Sequence, residues 1–197
     1  LKDKKALEYI EWGERQTTAN GVFWKEVPSV KGRRLWYLLD KNDNDDFIIP
    51  RTFNDIYICH FGGVNYSDRF YGIVSEEKKL TTFFNSSLFI FLSECLAKQG
   101  LGLGALDLNI RELVRIPILV YFDINLIIKR EIKSVFTEIG FDPTRPIREQ
   151  EPNPLPDRKE IDDIVFDALG LTAEERKEVY WAVAELAKAR LDKAKSV

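Results

Sequence analysis

Between Gly21 and Val74 the apolar residues come in short β-branched or aromatic runs: Val22-Phe23-Trp24, Leu35-Trp36-Tyr37-Leu38, Phe47-Ile48-Ile49, Ile56-Tyr57-Ile58-Cys59 and Phe70-Tyr71-Gly72-Ile73-Val74. Pro28, Gly32, Asn42-Asp43-Asn44, Asn54-Asp55 and Gly62-Gly63 separate them. Runs of this kind between turn-formers predict strands, here of a compact, twisted, mostly antiparallel sheet. The period then changes. Leu80, Phe83, Phe84, Ser87, Leu88, Phe91, Leu92, Cys95 and Leu96 recur at helical spacing. They predict one helix over 79–98 with a broad apolar face, stopped by Gly100 and packed across the sheet. A strand at 105–108, a helical turn at 110–114 and a buried strand at 116–120 are expected to close the sheet. Ahead of it, Ala6, Leu7 and Ile10 among charged residues predict a short helix over 2–15.

From about residue 125 the chain changes character. Ile124, Ile128, Ile132, Val135, Phe136 and Ile139 predict a helix ending at Gly140, and Pro143, Pro146, Pro152, Pro154 and Pro156 then predict an extended linker. Ile161, Ile164, Val165, Ala168 and Leu169 mark the next helical face, Gly170 stops it, and Thr172 with Glu175 is a capping box opening a last helix to about Leu191. The expected fold class is therefore α+β: a small twisted sheet packed on an apolar helix, followed by a tethered helical hairpin. The expected divisions are a connecting helix at 1–17, a domain at 18–122, a helix and Pro-rich linker at 123–160, and the hairpin at 161–197.

Composition adds bounds. A 45% hydrophobic content over 197 residues suffices for one sizeable core. The apolar run Leu88–Leu92 is far short of the roughly 20 residues a membrane span needs, and the opening Leu1-Lys2-Asp3-Lys4-Lys5 is no signal peptide, so a cytoplasmic, non-membrane protein is expected. The absence of Met and the opening on Leu1 suggest a truncated chain. Cys59 and Cys95 sit in apolar contexts and are expected to be buried free thiols. A net charge of −3 runs against a phosphate-binding surface. Its distribution offsets this: cations gather at Lys31, Arg33 and Arg34, with Arg51, Arg69 and Lys78-Lys79 further on, while acid gathers at Asp43, Asp45, Asp46 and in the C-terminal helices.

Five segments carry a family resemblance by their order and spacing: Ile49-Pro50-Arg51-Thr52-Phe53-Asn54, Tyr66-Ser67-Asp68-Arg69-Phe70-Tyr71-Gly72-Ile73, Phe84-Asn85-Ser86-Ser87-Leu88, Gly102-Leu103-Gly104-Ala105-Leu106-Asp107-Leu108 and Leu113-Val114-Arg115-Ile116-Pro117-Ile118. Lys31-Gly32-Arg33-Arg34-Leu35-Trp36-Tyr37 precedes them, and Ile161–Phe166, Leu169–Thr172 and Glu175–Tyr180 follow. Together they resemble the C-terminal target-recognition region of adenine-specific (N6) DNA methyltransferases of restriction-modification systems, of the type IIG or type I-like kind in which methylase and specificity segments share one chain. The resemblance implies a DNA target-recognition domain at 18–122 whose partners are double-stranded DNA and its own N-terminal methyltransferase domain. It also implies a catalytic part lying before Leu1, with S-adenosyl-L-methionine as the cofactor of that parent enzyme and none in this chain.

Other chemistry is weighed against this. Gly100, Gly102 and Gly104 follow a helix and precede a strand, the reverse of the dinucleotide-binding order. One histidine, His60, and two cysteines cannot by themselves fill a zinc site, and no nucleophile elbow appears. Asp68 with Glu76-Glu77-Lys78 has the order of a Mg-dependent nuclease, but such a pattern arises by chance in a chain with 31% charged residues, and acid complementing the dipole at a helix start is the better reading. Methyl transfer itself would require an Asp or Asn before Pro-Pro and an aromatic residue, and the chain has no Pro-Pro pair. The runner-up to DNA recognition is a module whose hairpin docks a methylase or a partner subunit. Arginine forks suit guanine edges and phosphates, Asn suits adenine edges, and tyrosine can buttress a sugar or an unstacked base. The candidate DNA-binding residues are thus Lys31, Arg33, Arg34, Arg51, Asn54, Arg69, Tyr71 and Lys78, with Trp36 and Tyr37 assigned to the core.

Overall fold

The computed structural model describes residues 3–38, 45–77, 79–99, 102–118 and 124–196. By its contacts the chain forms two compact units, Leu1–Lys41 and Asn42–Val197. In the first, helix α1 (Lys4–Glu14) starts at Asp3, whose carboxylate accepts from the Lys5 and Ala6 amides. The runs at 22–24 and 35–38 are not strands. Phe23 makes one bridge to Thr17, a 3-10 turn follows at Trp24–Glu26, and Leu35 to Leu38 form turns. Aromatic packing overrides the β preference. Trp24 meets Trp12 edge-to-face at 5.3 Å, Trp36 stands 6.3 Å from Trp24, and Tyr9 lies beside both Trp12 and Trp36. Gly13 is what lets the Trp36 ring approach α1, since a Cβ there would fall 2.4 Å from the ring.

The second unit is α+β. Strand β1 (Phe47–Pro50) is buried along its whole length at the centre of a three-stranded antiparallel sheet, between β3 (His60–Phe61) and β4 (Phe70–Ile73). After one residue, Arg51, the chain continues into β2 (Thr52–Phe53), an edge of a second antiparallel sheet in which β6 (Leu106–Asp107) lies between β2 and β5 (Lys98–Gln99). The one expected sheet is thus two small ones, joined through Arg51. The segment 56–59 is not a strand either: Tyr57 and Cys59 are buried, but the Cys59 backbone bonds to the Asn85 side chain instead of a ladder. Residues 116–118 are likewise irregular, with Ile116 buried.

The expected helix over 79–98 is two helices, α2 (Leu80–Phe84) and α3 (Ser87–Leu96). Asn85 and Ser86 break it because their short polar side chains bond to backbone, Ser86 locally and Asn85 both to Thr81 and to distant Cys59. Ser86 Oγ caps α3 by accepting from the Phe89 amide and donates to the Phe83 carbonyl at 2.7 Å. The break also orients the core rings: Phe84 packs on Phe47 and Phe89, and Tyr57 joins Phe53 to Phe89. Cys95, expected inside, faces out, while Cys59 is buried and burial pushes its thiol up.

Helix α4 (Ile110–Leu113) is the expected helical turn. Helix α5 is confined to Val135–Ile139, ending at left-handed Gly140, and 124–134 carries no helix. There the backbone pairs outward: Thr82 Oγ bonds Ile124 and Leu126, and the Val135 amide donates to Asp55. The Pro-rich stretch is not a free tether. Its Asn153 and Leu155 amides donate to Ile139 and Glu138, Ile147 is buried, and Gln150 accepts from the Trp181 indole at 2.8 Å. Helices α6 (Pro156–Ala168) and α7 (Ala173–Lys195) form the expected hairpin, the latter with the Thr172–Glu175 capping box. Val165, Phe166, Tyr180, Val183, Ala184 and Ala187 turn its apolar face into the core that β1 and α3 share, and Ile161 is buried as well. Among the described residues no helix is long and apolar enough to cross a membrane.

Candidate nucleic-acid interface

Arg51 occupies the step between the two sheets, and both sides of its backbone are fixed. Its amide donates to the Arg69 carbonyl at 2.7 Å, and its carbonyl accepts from the Leu108 amide at 2.9 Å. The side chain is fixed as well: Nε donates to Asp107 Oδ1 at 3.0 Å. The two terminal nitrogens have no partner among the described residues, and the side chain is 40% exposed. Asp107 raises the guanidinium above its ordinary range, through the hydrogen bond first and charge second. A planar fork that has lost its rotational freedom and keeps two donors free is suited to a bidentate acceptor.

Arg69 and Tyr71 belong to the same place. Arg69 is exposed immediately before β4, its amide on Ser67 Oγ, and it forms no ion pair with Asp68 or any other described acid. Tyr71 pairs with Ile49 across the sheet and is half-buried. Burial pushes its phenol up, Arg51 pulls it down, and Asp107 and Glu112 push it up further, with the Ile110 amide also acting on it. That amide belongs to α4, whose Arg111 is exposed, as is Arg115 just beyond the helix; neither carries an ion pair with a described residue. The structure thus brings Arg51, Arg69 and Tyr71 together and adds Asp107 and Arg111.

The remaining candidates are placed otherwise. Asn54 is exposed in the turn after β2, and its carbonyl accepts from Arg190 at 3.0 Å. Lys31, Arg33 and Arg34 are exposed in the first unit without ion pairs to described residues. Lys78 lies outside the described residues. Lys98, 62% exposed on β5, stands 3.7 Å from the buried Glu112 and was not among the candidates. Asp107 could have been suspected only as the acid of a predicted strand; its partner is 56 residues away. Arg111 and Arg115 carried a charge signal in a turn that also holds Glu112 among Ile110, Leu113 and Val114.

A second concavity, about 740 Å³, lies beside β3 and is lined by His60, Phe61, Tyr66, Phe70 and Arg130 among others. Two of its polar groups are committed: Tyr66 donates to Asp45 at 2.5 Å, and Arg130 forks onto Glu138 and reaches Asp157. Among the described residues, no three His, Cys, Asp or Glu gather where a metal ion could be held. No family model, no curated protein and no solved structure matches this chain.

Proposed function

We propose that this chain binds double-stranded DNA sequence-specifically, as the C-terminal target-recognition part of an adenine-specific DNA methyltransferase of a restriction-modification system. The observation that carries the reading is the Arg51 fork, fixed at Nε by Asp107 with two donors free, beside unpaired Arg69 and half-buried Tyr71. Such a fork matches the paired O6 and N7 acceptors of guanine in the major groove. Within the second unit, exposed Arg69 and Arg111 supply phosphate contacts, and in the first unit exposed Lys31, Arg33 and Arg34 are suited to the same role. The α+β unit, small sheets against apolar helices, serves as the recognition domain. A catalytic domain in the same polypeptide supplies S-adenosyl-L-methionine binding and base chemistry, and the enzyme works in the cytoplasm.

The reading is tested by fluorescence anisotropy with duplexes enriched by this chain from a randomised pool, over a salt series. Affinity should fall as salt rises, and one sequence should dominate the enriched pool. Arg51→Ala should lose about 1–3 kcal/mol of discrimination at one base pair. Lys31→Ala should weaken all duplexes alike and flatten the salt slope by about one unit. Salt-indifferent binding, or an unenriched pool, would remove DNA recognition as the function.

A further inference from the structure

Strand β1 is buried on both faces, and the two faces meet different partners. Phe47 and Ile49 join the main core, whereas Ile48, 5% exposed, lies outside it. The ladder sets Ile48 opposite His60 on β3 and Gly72 on β4, and side chains directly across a ladder share one face. Ile48 is thus covered from the side away from the core. Ile128, 4% exposed, is likewise buried outside the main core, and both isoleucines line the hollow of about 740 Å³ beside β3.

That volume falls within the roughly 300–1,000 Å³ of small-molecule sites, which are apolar hollows with a few polar groups. Ile58, Phe61, Val64, Phe70 and Ile127 extend the apolar wall. Three polar side chains of the lining are uncommitted: His60, Asn65 and Lys129 make no side-chain hydrogen bond or ion pair with a described residue. Burial lowers the His60 imidazole below its ordinary range, so at neutral pH it is uncharged and can both donate and accept. Charge in the hollow is one-sided. No described Asp or Glu is among the lining residues, although acids outnumber bases 32 to 29 in the chain. Glu138 and Asp157 meet the charge of Arg130, which leaves exposed Lys129 uncompensated.

We propose that this hollow binds a small aromatic anion, its ring among Ile48, Phe61, Phe70 and Ile128 and its acidic group on Lys129, with His60 and Asn65 hydrogen-bonding polar substituents. The site shares no residue with the Arg51 surface and is independent of the DNA-recognition reading. Phe61, Tyr66 and Phe70 favour an aromatic ligand over a saturated one through edge and offset ring contacts. An extended peptide would have to pair with β3, whose two residues are too short a template. A nucleic-acid backbone requires several cations in a row, and the hollow offers one uncompensated.

His60 is the single histidine of the chain, so its imidazole signal in nuclear magnetic resonance reports from the hollow without ambiguity. The full chain, isotope-labelled at histidine, is titrated at constant pH with 2-naphthoate, with uncharged 2-naphthalenemethanol and with 2-decalincarboxylate, the saturated counterpart. The naphthoate should shift the His60 signal to saturation and bind about fivefold more tightly than either of the others. Lys129→Gln should bring the naphthoate down to the level of the alcohol and leave the alcohol unchanged. Val64 is 52% exposed, so Val64→Asp alters the charge of the wall without emptying a packed position, and it should weaken the naphthoate but not the alcohol. A naphthoate shift that does not saturate, equal affinities for the naphthoate and either comparison compound, or binding indifferent to both substitutions overturns the site. Each of these outcomes leaves the DNA reading standing, and failure to bind any duplex overturns that reading alone.

Discussion

Asp162 shows how a single buried carboxyl sets a pH dependence. It is fully buried, accepts from the Ser87 amide at 2.6 Å and Ser87 Oγ at 2.7 Å, and receives the Tyr180 hydroxyl at 3.1 Å. Burial outweighs these donors and the Arg158 charge, and holds the carboxyl up at about 6 against an ordinary 3.8. A carboxyl raised by folding binds its proton more tightly in the native chain than in the unfolded one. Its contribution to stability is therefore full below pH 3.8 and is lost as the pH rises through about 6. Asp162→Asn keeps the size and an acceptor for Ser87 while removing the titration. Its stability relative to the parent should improve between pH 4 and pH 7 by on the order of 2–3 kcal/mol, read from urea midpoints. An unchanged difference at the two pH values would mean that the ionised form is as well held as the neutral one. The site itself was partly legible at this scale. Arg51 and Arg69 stood beside turn signals, so their exposure could be read, whereas Tyr71 stood inside a predicted strand run and is half-buried. The Asp107 contact that fixes Arg51 could not, because it joins strands far apart in the chain.

Elements behaved according to whether their signals were local. The capping box at Thr172, the stop at Gly140 and the buried run at Phe47–Ile49 act within a turn or a strand, and each formed as expected. The helix expected over 79–98 failed at Asn85, whose side chain makes bonds of 2.9 and 3.2 Å to the Cys59 backbone, 26 residues away. The isoleucines at 124, 128 and 132 keep helical spacing, yet Thr82 claims the backbone at 124 and 126. A hydrophobic period states which residues seek burial, not which backbone partner is offered. Gly140 and Gly170 allow a clean test of one element signal in two settings. Both are left-handed, at +79° and +67°; a Cβ on Gly140 would fall 2.2 Å from the Asn153 carbonyl oxygen, whereas one on Gly170 meets nothing within 4 Å. Gly170→Ala should cost about 1 kcal/mol through conformation alone. Gly140→Ala should cost at least about 2 kcal/mol, since it also parts α5 from the Pro-rich stretch. Equal losses in urea unfolding would show that the contact at Asn153 yields freely.

At the scale of the whole molecule, the composition change near residue 125 invited a boundary, but the contacts place everything from Asn42 onward in one unit. The physical reason lies in α7. Val183, Ala184 and Ala187 are fully buried, and their small or branched side chains bring α7 close along α3. Three residues beyond Ala187, Arg190 reaches Glu94 of α3 at 2.6 and 3.0 Å, together with the carbonyls of Asn54 and Gly104. One buried guanidinium thereby ties α3, the turn after β2 and the β5–β6 hairpin to α7, and removing either charge would strand the other in an apolar setting. A hairpin committed inward in this way has its apolar face filled by its own core, which weighs against its serving as a docking surface for a partner. A fragment of residues 42–197 should therefore unfold in urea as one cooperative transition. Trp181, the single tryptophan of that stretch, reports from α7 while far-ultraviolet circular dichroism reports from the whole, and the two midpoints should coincide. A fragment of residues 42–160, with most of α6 and all of α7 removed, should show no cooperative transition, because Glu94 and the α3 face are left uncovered. If 42–160 folds with its own sharp midpoint, or if the two probes of 42–197 separate, the hairpin is an independent module. The surface at Arg51 would then stand without it.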